Sequence, residues 1–162
     1  HIALANLEKN YNVTIVTQNV DDLHERAGST NVLHLHGELL KARSTYNEMD
    51  VQDWNHDLIL GDLCVKGYQM RPHIVWFGEE VPLLPKAAHI TQSADILVII
   101  GTRLQVYPAA GLIHYAPQGV PMYLVDPKPT LGSGDFSNLK VIAETAAVGV
   151  PTLVADLICK AV

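Results

Sequence analysis

At 162 residues the chain is long enough for one domain with a substantial core and too short for two of ordinary size. Apolar residues make up 48% and charged residues 17%, which excludes a disordered or fibrous chain. The net charge of -6 argues against nucleic acid and anionic membrane surfaces as partners, and no apolar run approaches the roughly 20 residues that span a bilayer.

The two cysteines, Cys64 and Cys159, form neither a disulfide framework nor a metal quartet, so a reducing, cytoplasmic setting is expected. Residue 1 is His, and a helical pattern is already under way at Ile2-Ala3-Leu4-Ala5; the chain is expected to begin partway through something larger. Apolar positions at Ile2, Ala5 and the Leu4/Leu7 pair predict a short amphipathic helix over 2–10. The β-branched run Val13–Thr17 predicts a strand, and 20–27 a turn or two of helix before Gly28. Val32–His36 predicts the next strand, with Val32, His34 and His36 on one face. Residues 41–70 show no sustained period and read as an irregular excursion or small insert.

Beyond it, Ile74–Phe77 reads as a short strand closed by Gly78, and 84–94 as a helix. The run 96–100, apolar at every position, is the pattern of a parallel strand covered on both faces. A helix opened by Pro108, strands at 121–125 and 139–142, and a helix over 151–161 complete the order. Strands alternating with helices predict an α/β fold: an open, mainly parallel Rossmann-like sheet with helices on both faces.

Ligands of open α/β sheets sit beyond the carboxyl ends of the strands. Here the strands end in Gln18/Asn19/Asp21, His36/Gly37, Gly101/Thr102 and Asp126. A glycine turn at Gly101 followed by an acid at Asp126 has the spacing of a nucleotide-binding unit, although the full G-x-G-x-x-G fingerprint is absent.

These residues carry a family resemblance. Thr17-Gln18-Asn19-Val20-Asp21-Asp22-Leu23-His24-Glu25-Arg26-Ala27-Gly28 resembles the T-Q-N-I-D-x-L-H-x-x-A-G signature of the sirtuins, NAD-dependent protein lysine deacylases. His34-Leu35-His36-Gly37 resembles their catalytic H-G, and Arg71-Pro72-His73-Ile74-Val75-Trp76-Phe77-Gly78-Glu79 their R-P-x-V-V-x-F-G-E substrate strand. Gly101-Thr102, Val106 and Pro108-Ala109-Ala110 resemble G-T-S-x-x-V-x-P-A. The blocks keep the family's order from residue 1 to about residue 130, with wording similar to bacterial sirtuins of the class that includes desuccinylases.

The resemblance implies NAD as cofactor and acylated-lysine proteins or peptides as substrates. It implies His36 as general base on the ribose hydroxyls, where an imidazole titrating near neutrality suits the task. Gln18 would bond the nicotinamide ribose, while Asn19 and Asp21 would hold the carboxamide and the site water. Ile74, Val75, Trp76, Phe77 and Gly78 would take the peptide by strand addition. Gly101, Thr102, Arg103 and Asp126 would lie along the adenosine half. Residues 1–40 and 80–162 would form the NAD-binding domain, and 41–73 the lobe corresponding to the family's zinc module. His34 receives no role, and Asp22 reads as a helix cap.

Three departures accompany the matches. No stretch matches the glycine-rich loop G-A-G-x-S-x-x-S-G-I-x-x-F-R that begins the family pattern, so the isolated chain is expected to bind NAD poorly, to be inactive, and to expose sheet edges open to self-association. Zinc is not expected, because Ser44 stands where a first cysteine would be and only Cys64 remains of the four thiolates. Arg103 replaces the serine of G-T-S and Asp126 an asparagine; whether Arg103 reaches a phosphate or blocks the ribose is left open. Two alternatives to a deacylase stand beside it: a module of the same fold that binds or hydrolyses NAD or ADP-ribose, and a non-catalytic interaction partner.

Overall fold

The computed structural model describes residues 1–102, 107–131 and 134–161. In chain order the elements are α1 (Ile2–Leu7), β1 (Ile15–Thr17), α2 (Leu23–Arg26), β2 (Val32–His34), β3 (Gly37–Ser44), β4 (Val51–Asp53), β5 (Met70–Ile74), α3 (Leu84–Gln92), β6 (Leu97–Ile100), a 3-10 helix (Ala109–Tyr115), β7 (Met122–Val125), β8 (Leu139–Ile142) and α4 (Ala146–Ala161). They form two parallel sheets, β1-β2 and β6-β7-β8, and one antiparallel sheet, β4-β3-β5.

The parallel α/β expectation holds, and the packing gives the reason. Along β6, Val98 and Ile100 pack with Leu7 of α1 and with Val150, Leu153, Val154 and Leu157 of α4. The alternate residues Leu97 and Ile99 pack with Ile113 of the 3-10 helix, Met122, Leu124 and Leu139. A strand whose successive side chains enter two different cores must be apolar at every position. On the β1-β2 side, Leu33, Leu35 and Val16 pack with Ala87 and Ile90 of α3 and with Ala109 and Leu112. This layer seats the β1 and β2 ends on helices from later in the chain. Among the described residues no helix is long and apolar enough to cross a membrane.

Five local readings change. The stretch 41–70, expected to be irregular, supplies half of an antiparallel sheet whose burial does not alternate: Ala42, Arg43 and Ser44 are buried in succession. Arg43 is tolerated there because Glu79 lies 3.5 Å from its guanidinium. The strand expected over 74–77 ends at Ile74, because Glu79 Oε2 accepts the Trp76 N–H at 3.0 Å and turns the chain at Gly78. The strand expected to reach His36 stops at His34, and the helix opened by Pro108 is a 3-10 helix. The final helix starts at Ala146 and carries Pro151 within it.

Candidate active site

The site begins with the backbone beyond β1. Four successive carbonyls, from Thr17 to Val20, are each bonded by residues between His34, the end of β2, and Leu39. The Leu35 N–H donates to Thr17 O at 2.9 Å and the Leu39 N–H to Val20 O at 2.7 Å. Between them, His36 Nδ1 lies 3.1 Å from Gln18 O, and His34 Nδ1 3.2 Å from Asn19 O. A loop whose carbonyls are all bonded has little freedom, so the Gln18, Asn19 and Asp21 side chains project from a fixed frame.

His36 is half-buried, and among the described residues its Nε2 has no hydrogen-bond partner. With Nδ1–H donating to Gln18 O, Nε2 keeps a lone pair, which is the arrangement of a general base. Asp21 also serves its own loop, since its Oδ1 accepts the Leu23 N–H at 3.1 Å and starts α2. Asp22 lies 3.9 Å from Arg26.

The candidate substrate segment adjoins this frame. Gly37 pairs with Ile74, and the Val75 N–H donates to His36 O at 2.9 Å. Trp76, Phe77 and Gly78 then follow the turn into solvent, with Phe77 100% exposed. Glu79 holds that turn, its Oε1 2.8 Å from Arg71. The Arg71 hydrogen bond, with the Trp76 N–H, keeps the Glu79 carboxyl below its usual range. Glu79 was quoted in the sequence only as the end of a motif; the spacing of an Arg eight residues before a Glu was the signal.

Gly101 and Asp126 form a second group. The Gly101 N–H donates to Val125 O at 3.0 Å, which sets Gly101 beside the end of β7. Gly101 has φ +61, and among the described residues nothing lies within 4 Å of where a Cβ would stand. Asp126 is buried and accepts the Lys128 N–H at 2.7 Å through Oδ1. An open glycine turn and a buried carboxylate at neighbouring strand ends fit the adenosine side of a dinucleotide. The structure thus brings Gln18, Asn19, Asp21 and His36, beyond the β1-β2 sheet, together with Ile74 and Val75 at the end of β5 of the antiparallel sheet, and brings Gly101 and Asp126 together beyond the separate β6-β7-β8 sheet; Thr102 follows Gly101, and Arg103 and Val106 lie outside the described residues.

The small antiparallel sheet does not fit a tetrahedral zinc. Ser44 Oγ donates to Cys64 Sγ at 3.4 Å, which draws the thiol below its ordinary range. His56 stacks on Trp54, and Asp62 accepts the Ile59 N–H. Among the described residues no group of three or more His, Cys, Asp or Glu could hold a metal ion.

Parallel strand ends bearing an imidazole, amides, a glycine turn and a carboxylate define a Rossmann-like nucleotide-binding class. A family profile described as "Sir2 family" matches residues 1–108. An "NAD-dependent protein deacylase" of Bacteroides thetaiotaomicron is 49% identical over 159 residues, covering 94% of this chain and 68% of that protein. One from Aggregatibacter actinomycetemcomitans is 54% identical over 132 residues, covering 82% and 64%. A Sir2 homolog–NAD complex superposes with TM-score 0.84 at 33% identity over 100% of this chain and 65% of that one. A Sir2–p53 peptide–NAD+ complex does so with TM-score 0.74 at 28% identity over 99% and 68%. The chain belongs to the Sir2 family, the sirtuins. It spans about two thirds of the length of the curated relatives it matches.

Proposed function

We propose that this chain carries the nicotinamide and acyl-lysine side of an NAD-dependent protein lysine deacylase, acting on acetyl-lysine or succinyl-lysine. The observation that carries this is the His36 ring, held through Nδ1 with Nε2 unpartnered, on a backbone frame that also presents Gln18, Asn19 and Asp21. NAD, when bound, supplies ADP-ribose as the acyl acceptor and nicotinamide as the leaving group. His36 Nε2 takes a proton from a ribose hydroxyl; the Nδ1–H bond to Gln18 O stabilises the charge the ring then acquires. Gln18 orients that ribose, Asn19 and Asp21 hold the carboxamide and a water, and Asp126 and the Gly101-Thr102 turn take the adenosine end.

The acyl-lysine peptide adds as a strand along 74–78, its lysine stem against Phe77. An exposed Phe77 supports this, because a fully solvated aromatic two residues beyond the Val75–His36 hydrogen bond has no role in the core. The division into an NAD-binding unit (1–40 and 80–162) and a lobe without zinc (41–73) belongs to the same proposal, as does self-association through sheet edges. The test is the full encoded protein with acetyl- and succinyl-lysine peptides, with and without NAD. Deacylation that needs NAD and falls by about 10²–10⁴-fold in His36→Ala is expected. Product formed without NAD, or surviving the substitution, would contradict the reading.

A further inference from the structure

Two imidazoles grip the 17–20 backbone, and only His36 has a part in the reaction above. His34 is 7% exposed and titratable, with an acceptor at each ring nitrogen: Asn19 O at 3.2 Å from Nδ1 and Glu25 Oε1 at 2.7 Å from Nε2. A neutral imidazole has one N–H and would set its remaining lone pair against an oxygen lone pair. The imidazolium donates at both nitrogens and satisfies both contacts. His36 faces one acceptor, so the neutral ring suffices there.

We propose that His34 is a positioning residue, held as an imidazolium that ties the Asn19 carbonyl to Glu25 and so fixes the Asn19 and Asp21 side chains for the nicotinamide end of NAD. The identity of that ligand rests on the deacylase reading. Residues 19 and 25 bracket the loop that carries Asp21 and starts α2, so one ring closes the segment at both ends.

The charged and titratable groups facing His34 are Glu25 and His24 of α2 and Glu38 of β3. Burial pushes His34 down, but the Glu25 hydrogen bond, the Asn19 carbonyl and the negative charges of Glu25 and Glu38 together outweigh it and hold the ring above the ordinary 6.5. Burial likewise pushes Glu25 up, and the His34 hydrogen bond, a backbone N–H and the charges of His34 and His24 together outweigh it, leaving the carboxyl below 4.5. His24 lies below its ordinary value, chiefly through burial, so it opposes the His34 charge little. Glu38 is also 3.0 Å from Lys41. A raised histidine pKa stabilises fully below its unfolded value and is lost as pH climbs through the folded one. A lowered carboxylate pKa stabilises above its unfolded value and is lost as pH falls through the folded one. The clamp is therefore intact at weakly acidic to neutral pH and opens on the alkaline side.

The experiment uses the full encoded protein, wild type and Glu25→Gln. His34 ring nitrogens are titrated by NMR without NAD, and NAD affinity is measured by calorimetry across pH. Wild-type His34 should carry two protons near neutrality and titrate above the ordinary value; Glu25→Gln should lower that titration and weaken NAD binding by about tenfold near neutral pH, with the difference shrinking on the alkaline side as the wild-type clamp also opens. A singly protonated wild-type His34 at neutral pH overturns the proposal. So does Glu25→Gln that moves the titration while NAD affinity matches wild type at every pH, in a protein that does bind NAD. Wild-type protein that binds no NAD overturns the deacylase reading and the NAD-positioning role proposed for His34 with it; the titration separately decides whether the ring is an imidazolium.

Discussion

The loop beyond β1 and the small antiparallel sheet meet at Gly37 and are stabilised in opposite ways. In the loop, every carbonyl from Thr17 to Val20 has a donor, and the supporting Leu33 and Leu35 are buried against α3 and the 3-10 helix. The antiparallel sheet buries Ala42, Cys64 and Met70, with Trp54 and Leu58 beside them, and leaves Leu60 93% and Val65 99% exposed. The candidate site residues thus stand on a frame specified several times over, while the lobe beside them rests on a few contacts.

The junction is where the comparison breaks most completely. Gly37 has φ +85, and a Cβ there would collide with the His73 carbonyl oxygen and lie 2.8 Å from its carbon. Gly37→Ala forces the β3–β5 pairing apart at Ile74 and pulls on the residue next to His36. A loss of at least about 3 kcal/mol in urea unfolding is expected, or failure to fold. A loss below about 1 kcal/mol would show that the junction relaxes freely.

Leu35→Ala comes next. Leu35 is buried between the strand ends and α3, and its N–H donates to Thr17 O. Truncation should cost about 2–5 kcal/mol and weaken NAD binding with it. Unchanged NAD affinity in the folded variant would separate the core from the frame. Ser44→Ala gives the smallest effect. It removes the donor to Cys64 Sγ and the acceptor for the Tyr46 N–H, and should cost about 1 kcal/mol. The melting temperature should not respond to chelators; a drop on adding EDTA would show that a metal, rather than packing, holds the lobe.

Much of the fold was legible because β6 feeds two cores and so carries an unbroken apolar run, and because the polar strand ends stood out against it. The 41–70 region was not, since its strands are short and bury an arginine and a serine beside an alanine. Only the distant Glu79 explains that arginine. His36 could be placed from its neighbours in the sequence. His34 could not, because its charge state depends on Glu25 from another element and a carbonyl from a third.

The most direct test of the central claim, that this strand end transfers acyl groups to ADP-ribose, is a stoichiometry. With the full encoded protein, NAD and an acyl-lysine peptide, nicotinamide released and acyl groups removed are counted in one reaction. The account predicts about one nicotinamide per acyl group, both lost together in His36→Ala. Nicotinamide release that proceeds at the same rate without acylated peptide would contradict it and identify an NAD-hydrolysing module instead.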